Sequence, residues 1–181
     1  RGQLGTEIIK QLREGRSEIG PIPEKLMNAT VIPVDLPELD ISNYKMVDDF
    51  IRRQRPDVII NCAAHTNVDK CEEQWELAYK INAIGPRNLS IAATEVGAKL
   101  IHVSTDYVFA GDGTRPYVEY DTPAPISAYG RSKYEGEKFV QQFANRYFIV
   151  RTAWLYGDGK NFVKTMLKLS ETHDELSVVD D

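Results

Sequence analysis

Four short apolar runs rich in β-branched residues, at 31–34, 58–60, 100–103 and 148–150, alternate along this chain with stretches of helical period. Continuous apolar runs of that length suit strands buried on both faces, as in a parallel sheet. Between them the spacing predicts helices. Residues 44–54 follow Ser42, an N-cap candidate, and stop at Pro56. Residues 72–96 carry Leu77, Ile81, Ile84, Leu89 and Ala92 at helical spacing, with two helices or a kink expected at Gly85-Pro86. Residues 128–144 and 161–169 are further helix candidates. Such alternation marks an α/β fold built on a doubly wound parallel sheet with helices on both faces. A length of 181 residues provides for one good core, so a single domain over 1–181 is expected.

Composition excludes several classes of function. The net charge is -5 and no basic run stands out, which argues against a nucleic-acid partner. No apolar stretch approaches the ~20 residues of a membrane helix, and residues 1–10 lack the apolar core of a signal peptide. Two cysteines, Cys62 and Cys71, do not make a disulfide scaffold. A cytoplasmic protein without membrane contact is expected. Two loops stand out: 19–28, which reads as an insertion, and 110–127, with Gly111, Gly113, Pro116, Pro123 and Pro125. A loop as long as the second is usually functional or mobile. Both ends read as cut. Gly2-Gln3-Leu4-Gly5 runs into a helix bearing Ile8, Ile9 and Leu12 with no strand before it, and 176–179 begins as a strand and stops at Asp180-Asp181.

A glycine turn opening a helix is a weak signal alone, because an ordinary helix start reads the same way. Asp35 at the end of the next strand candidate strengthens it. In dinucleotide sites the glycines admit the pyrophosphate to the helix N-terminus and the acid bonds the adenosine ribose. The small residues at 61–66, after the strand candidate 58–60, leave room for a flat ligand, although tight packing would also explain them. His65, Asp69 and Cys71 do not supply the four ligands of a closed zinc site. The most specific constellation joins Ser104-Thr105-Asp106-Tyr107, at a strand end, to Tyr129 and Lys133, four apart on one helix face. A nearby ammonium lowers a tyrosine pKa from ~10, and such a tyrosine can protonate a ketone oxygen as hydride arrives. A Thr hydroxyl can orient the same oxygen.

Taken together, Gly-Gln-Leu-Gly, the Ala-Ala-His-Thr-x-Val-Asp segment from Ala63 to Asp69, Ser-Thr-Asp-Tyr-Val-Phe from Ser104, Tyr-Gly-x-x-Lys and Arg-Thr-Ala-Trp-Leu-Tyr-Gly from Arg151 resemble the dTDP-4-dehydrorhamnose reductases, of the extended short-chain dehydrogenase/reductases. The resemblance covers nearly the whole chain. It implies a Rossmann-type domain whose first strand and C-terminal substrate lobe are missing, with the gap beside 100–103 and 31–34. Without that strand, the chain alone is not expected to fold cooperatively. The implied reaction is the NADPH- or NADH-dependent reduction of the C4 ketone of dTDP-4-dehydro-6-deoxy-L-mannose to dTDP-L-rhamnose.

By resemblance, Gly2, Gln3 and Leu4 contact the pyrophosphate, Asp35, Asp40 and Ile41 hold the adenosine end, and Ala63, Ala64, His65 and Thr66 line the cofactor cleft. Thr105 and Asp106 meet the sugar, Tyr129 donates the proton, Lys133 binds Tyr129 and the nicotinamide ribose, and Trp154 flanks the substrate, although core packing would also place a Trp there. The pocket is expected to lie open on the side of Trp154. A carboxylate at Asp35 favours NADH, and Arg1 beside the glycine turn would offset part of that preference. A homodimer linked by magnesium is also implied, with Glu7 as a ligand, although an exposed helix Glu is the commoner reading. Two alternatives stay open: a sugar-nucleotide epimerase or dehydratase of the same superfamily, and a non-catalytic subunit resembling the regulatory subunit of methionine adenosyltransferase.

Overall fold

A parallel sheet carries the larger of two compact units, residues 35–153; the smaller combines residues 1–34 with 154–181. The computed structural model describes residues 2–159 and 161–178. In chain order these form α1 (Gln3–Glu14), β1 (Arg16–Ser17), β2 (Gly20–Pro21), α2 (Tyr44–Gln54), β3 (Val58–Asn61), α3 (Val68–Glu73) and α4 (Trp75–Tyr79). A π-helical turn, Lys80–Ile84, then leads into α5 (Gly85–Val96), β4 (Lys99–Thr105), α6 (Ala128–Phe143), β5 (Tyr147–Thr152) and α7 (Phe162–Ser170). Among the described residues no helix is long and apolar enough to cross a membrane.

The sheet order is β3-β4-β5, with Val58 opposite Lys99 and Leu100 opposite Tyr147. Side chains alternate across a strand, so Leu100, His102 and Ser104 of β4 share one face, and all three are buried. Leu100 joins Val47 and Ile51 of α2, Leu89, Ala92 and Ala93 of α5 and Val140 of α6 in the main core. Val58, Ile60, Phe148 and Val150 remain exposed.

Three expectations need correction here. Residues 31–34 are not a strand: among the described residues no neighbour supplies them with a ladder. Nor is there a gap beside 100–103, since β4 is the central strand with β3 and β5 on either side. The cap of α2 is Asn43, whose side chain accepts from Met46 N at 3.2 Å, while Ser42 bonds Asp40 instead. The break expected near Gly85-Pro86 is real and takes the form of the π turn. Pro86 cannot donate a backbone N–H, which loosens the helical ladder where α5 begins.

Two glycines bring α6 close to its neighbours. A Cβ on Gly130 would lie 2.1 Å from the Tyr107 carbonyl oxygen, and one on Gly136 would lie 2.2 Å from that of Asn82. In the smaller unit, α1 stops at Gly15, in the left-handed region at φ 71°, and runs into the β1–β2 hairpin with Arg16 opposite Pro21. The loop expected at 19–28 thus contributes β2 and a 3-10 turn, Glu24–Leu26. Asn161 caps α7 by accepting from Lys164 N at 3.1 Å. Residues 176–178 form no strand, and Val179, Asp180 and Asp181 lie outside the described residues, as does Arg1.

Candidate active site

The carboxyl end of β4 and the first turns of α6 assemble the site. Thr105 is the last residue of β4, and its buried hydroxyl donates to Asp106 Oδ1 at 2.9 Å and accepts from Tyr107 N at 3.2 Å. Ser127 caps α6 through Gly130 N at 3.0 Å, which fixes where the helix begins. The helical period then puts Tyr129 and Lys133 on one face, and both are buried. The phenol of Tyr129 meets the Thr105 hydroxyl, and its ring packs edge-on against Tyr107 at 5.5 Å. Lys133 is 2% exposed, and its Nζ donates to the Val103 carbonyl at 2.7 Å.

Electrostatics here departs from expectation. Burial pushes the Tyr129 phenol up, with smaller upward contributions from Asp106, Cys71 and Tyr107; only the Thr105 hydroxyl pulls it down. The Lys133 ammonium was expected to lower this pKa. Desolvation outweighs any such pull, so Tyr129 keeps its proton. Lys133 itself is lowered to about 8 by burial, against opposing pulls from Glu137 and Cys62. His102, on the neighbouring face of β4, is held well below its usual range by burial and then by the Lys133 charge.

The segment after β3 is organised from below. Asn61 is buried, donating to His102 Nδ1 at 3.1 Å and accepting from Ala63 N at 3.1 Å. Asn82, in the π turn, accepts from His65 N at 2.8 Å and donates to His65 O at 2.9 Å. The same amide donates to Ser132 Oγ at 3.0 Å, and Ser132 donates to the Tyr129 carbonyl at 2.8 Å. One buried Asn therefore ties the 63–66 segment to α6. Ala63 and Thr66 are exposed, Ala64 and His65 half-buried. The Nε2 of His65 is buried without a partner among the described residues.

The remaining candidates are placed separately. Asp40 accepts from Ser42 N at 2.9 Å and Ser42 Oγ at 2.6 Å; those bonds to Ser42, more than the Lys80 charge, hold its carboxyl below the usual range. Ile41 packs so tightly on Gly85 that a Cβ there would sit 2.5 Å from Ile41 Cδ1. Asp35 accepts from Leu36 N at 2.9 Å. In the smaller unit, Gly2 is the N-cap of α1, with no side chain capping it and open space around a notional Cβ. Gln3 donates to the Leu155 carbonyl at 3.3 Å, and Leu4 is half-buried. Trp154 is 63% exposed, in a left-handed conformation at φ 48°, edge-on to Phe162 at 5.1 Å. That backbone is uncommon for a bulky residue. Glu7 accepts from Gln11 at 2.9 Å and pairs with Lys10 at 3.8 Å. Among the described residues no three His, Cys, Asp or Glu side chains gather as metal ligands, so magnesium has no support.

Sequence reasoning missed Asn82, Ser132 and Glu137. Glu137 had a readable signal, since Tyr129, Lys133 and Glu137 recur at intervals of four. Asn82 had none, because its role depends on a bulged turn.

A Thr–Tyr–Lys cluster at the end of the central strand of a parallel sheet defines a short-chain dehydrogenase/reductase domain of Rossmann type. The chain belongs to the RmlD substrate binding domain family, whose model matches residues 1–181. It is 41% identical over 181 residues to the spore coat polysaccharide biosynthesis protein SpsK of Bacillus subtilis, covering 99% of this chain and 60% of that one. A crystal structure of a dTDP-4-dehydrorhamnose reductase from Clostridium acetobutylicum is 56% identical, with a TM-score of 0.91 over 100% of this chain and 60% of that one. The reductase from Bacillus anthracis, solved in complex with NADP, is 49% identical, with a TM-score of 0.84 over 98% of this chain and 59% of that one. The chain spans 48% to 60% of the length of the curated relatives it matches.

Proposed function

We propose that this chain is the cofactor-binding and proton-donating part of a reductase that converts dTDP-4-dehydro-6-deoxy-L-mannose to dTDP-L-rhamnose with NADPH or NADH. The observation that carries this reading is the buried Thr105–Tyr129–Lys133 cluster, with Tyr129 protonated. A ketone reduction needs a proton donor, and a phenol held up by burial is one at neutral pH. Thr105 orients the ketone oxygen, and Tyr129 gives its proton to that oxygen as the carbonyl becomes an alcohol. Asp106 meets the sugar.

The residues fit a nicotinamide dinucleotide. The Lys133 ammonium has three N–H donors, of which Val103 takes one; the others suit the ribose hydroxyls and the phenol oxygen. The unpartnered His65 Nε2 offers a further polar contact, with Ala63, Ala64 and Thr66 beside it. The uncapped helix start at Gly2, Gln3 and Leu4 suits a pyrophosphate, and Asp35, Asp40 and Ile41 suit the adenosine end. When bound, the reduced nicotinamide supplies hydride to C4. The free cysteines Cys62 and Cys71 accord with a cytoplasmic protein.

The test uses nicotinamide nucleotide deuterated at the transferring position. One deuterium fixed at C4 of dTDP-L-rhamnose is the expected product. Unlabelled product, or none, would remove the reductase reading. An epimerase would return the label to its cofactor, and a non-catalytic subunit would form no product.

A further inference from the structure

Residues 110–127 join the two halves of the site: they leave the Asp106–Val108 turn that follows Thr105 and end at Ser127, the cap of the helix that carries Tyr129. A loop of that length keeps one conformation only where side chains order it. Here Tyr117 does so. Its ring stacks on Phe109, with centroids 4.2 Å apart and planes at 3°. Its hydroxyl oxygen accepts from Gly111 N at 3.0 Å and from Gly113 N at 3.2 Å. The Phe109 ring also lies under the Arg151 guanidinium at 4.8 Å. Arg151 is in turn held by Glu137, to which Nε donates at 3.0 Å and Nη2 at 2.7 Å, and it lies opposite Ser104 in the β4–β5 ladder. Beyond Tyr117, Arg115 donates to both carboxylate oxygens of Asp121, at 2.8 and 2.6 Å, and Ala124 N donates to Val108 O at 2.9 Å, closing the loop on the turn it left.

We propose that Tyr117 is a positioning residue: stacked on Phe109, it holds the Asp106–Val108 turn, and with it Thr105 and Tyr107, in place against Tyr129. The inference rests on the reading of Thr105 and Tyr129 as one reductase site. Phe109 ends the turn, its N–H donating to Asp106 O at 2.9 Å. Within the turn the Thr105 hydroxyl accepts from Tyr107 N, and the Tyr107 ring meets Tyr129 edge-on. A displaced Phe109 is therefore felt at both Thr105 and Tyr129. Stacked rings contribute beyond the area they bury, and a cation over one of them adds to that. The column of Tyr117, Phe109 and Arg151 thus fastens the loop to β5, the strand beside Thr105.

The test follows hydrogen exchange of the Tyr107, Phe109 and Ala124 amides by NMR, in the native protein without substrate, beside steady-state turnover. Tyr117 is 39% exposed and outside the main core, so the fold survives Tyr117→Leu, which removes the stack. Exchange at the three amides should rise roughly fivefold, as loss of one stacked contact implies. Turnover should fall about tenfold through misplacement of Thr105 against Tyr129, with cofactor affinity unchanged. Tyr117→Phe keeps the stack and loses only the hydroxyl. It should restore both readings while the Gly111 and Gly113 amides exchange faster. Unchanged exchange at Tyr107 and Phe109 in Tyr117→Leu overturns the proposal, and so does faster exchange with unchanged turnover. If the native protein shows no turnover, the reductase reading fails, and the exchange still decides whether Tyr117 anchors the turn.

Discussion

In the proposed reaction Tyr129 would hold its proton until hydride reaches the substrate, and its surroundings favour that state: a buried phenol, a Thr105 hydroxyl against it and the Asp106 carboxylate nearby. Tyr129→Phe keeps the ring and removes the proton. Turnover should fall by about 10²–10⁴ with cofactor affinity near native, as steady-state kinetics and titration would register; unchanged turnover would take Tyr129 out of the mechanism. At Asp35 a carboxylate suits a ribose 2′-hydroxyl and repels a 2′-phosphate. Asp35→Ala should therefore shift preference toward NADPH in competition titrations, and a shift toward NADH would place Asp35 away from the ribose. His102 bears on stability. Its folded pKa is depressed, so its contribution is present above the unfolded value near 6.5 and is lost as pH falls below it. The slope is about 1.4 kcal/mol per pH unit. Melting curves between pH 7 and 5 should be flatter for His102→Gln; equal slopes would mean that His102 charges freely in the fold.

At the scale of elements, sequence pattern was most informative where helices end in strong signals. α2 was legible because Pro56 stops it, and α6 as a stretch without proline that follows the Ser127 cap. The segment 31–34 has the composition of a strand but no ladder, and composition alone cannot supply a neighbour. The break near Gly85-Pro86 was legible from its proline, but its π form was not, because that depends on packing against α6 as well. Gly136 makes that packing testable. In an exposed helix Gly→Ala would stabilise by about 1 kcal/mol. Here the new Cβ meets the Asn82 carbonyl at 2.2 Å, and overpacking of that kind costs about 1–3 kcal/mol. Gly136→Ala should lower the melting temperature and loosen the Asn82 bonds to His65; a raised melting temperature would mean that the helices separate easily.

For the whole molecule, Thr105, Tyr129 and Lys133 could be brought together from sequence because a strand end and a helix face are short-range features. What lay beyond sequence is how burial divides the charges: it raises Tyr129, lowers Lys133 and leaves Glu137 with Arg151 as its partner. Those depend on which atoms lose water, and that is a property of the packed sheet and helices. The account's central claim is that this arrangement serves net reduction. The most direct measurement counts reduced nicotinamide consumed against dTDP-L-rhamnose formed over many turnovers of the native protein. One equivalent consumed per product is the expected result. No net consumption, with the sugar nucleotide altered only in stereochemistry, would contradict the account and assign the cluster to an epimerase-type cycle.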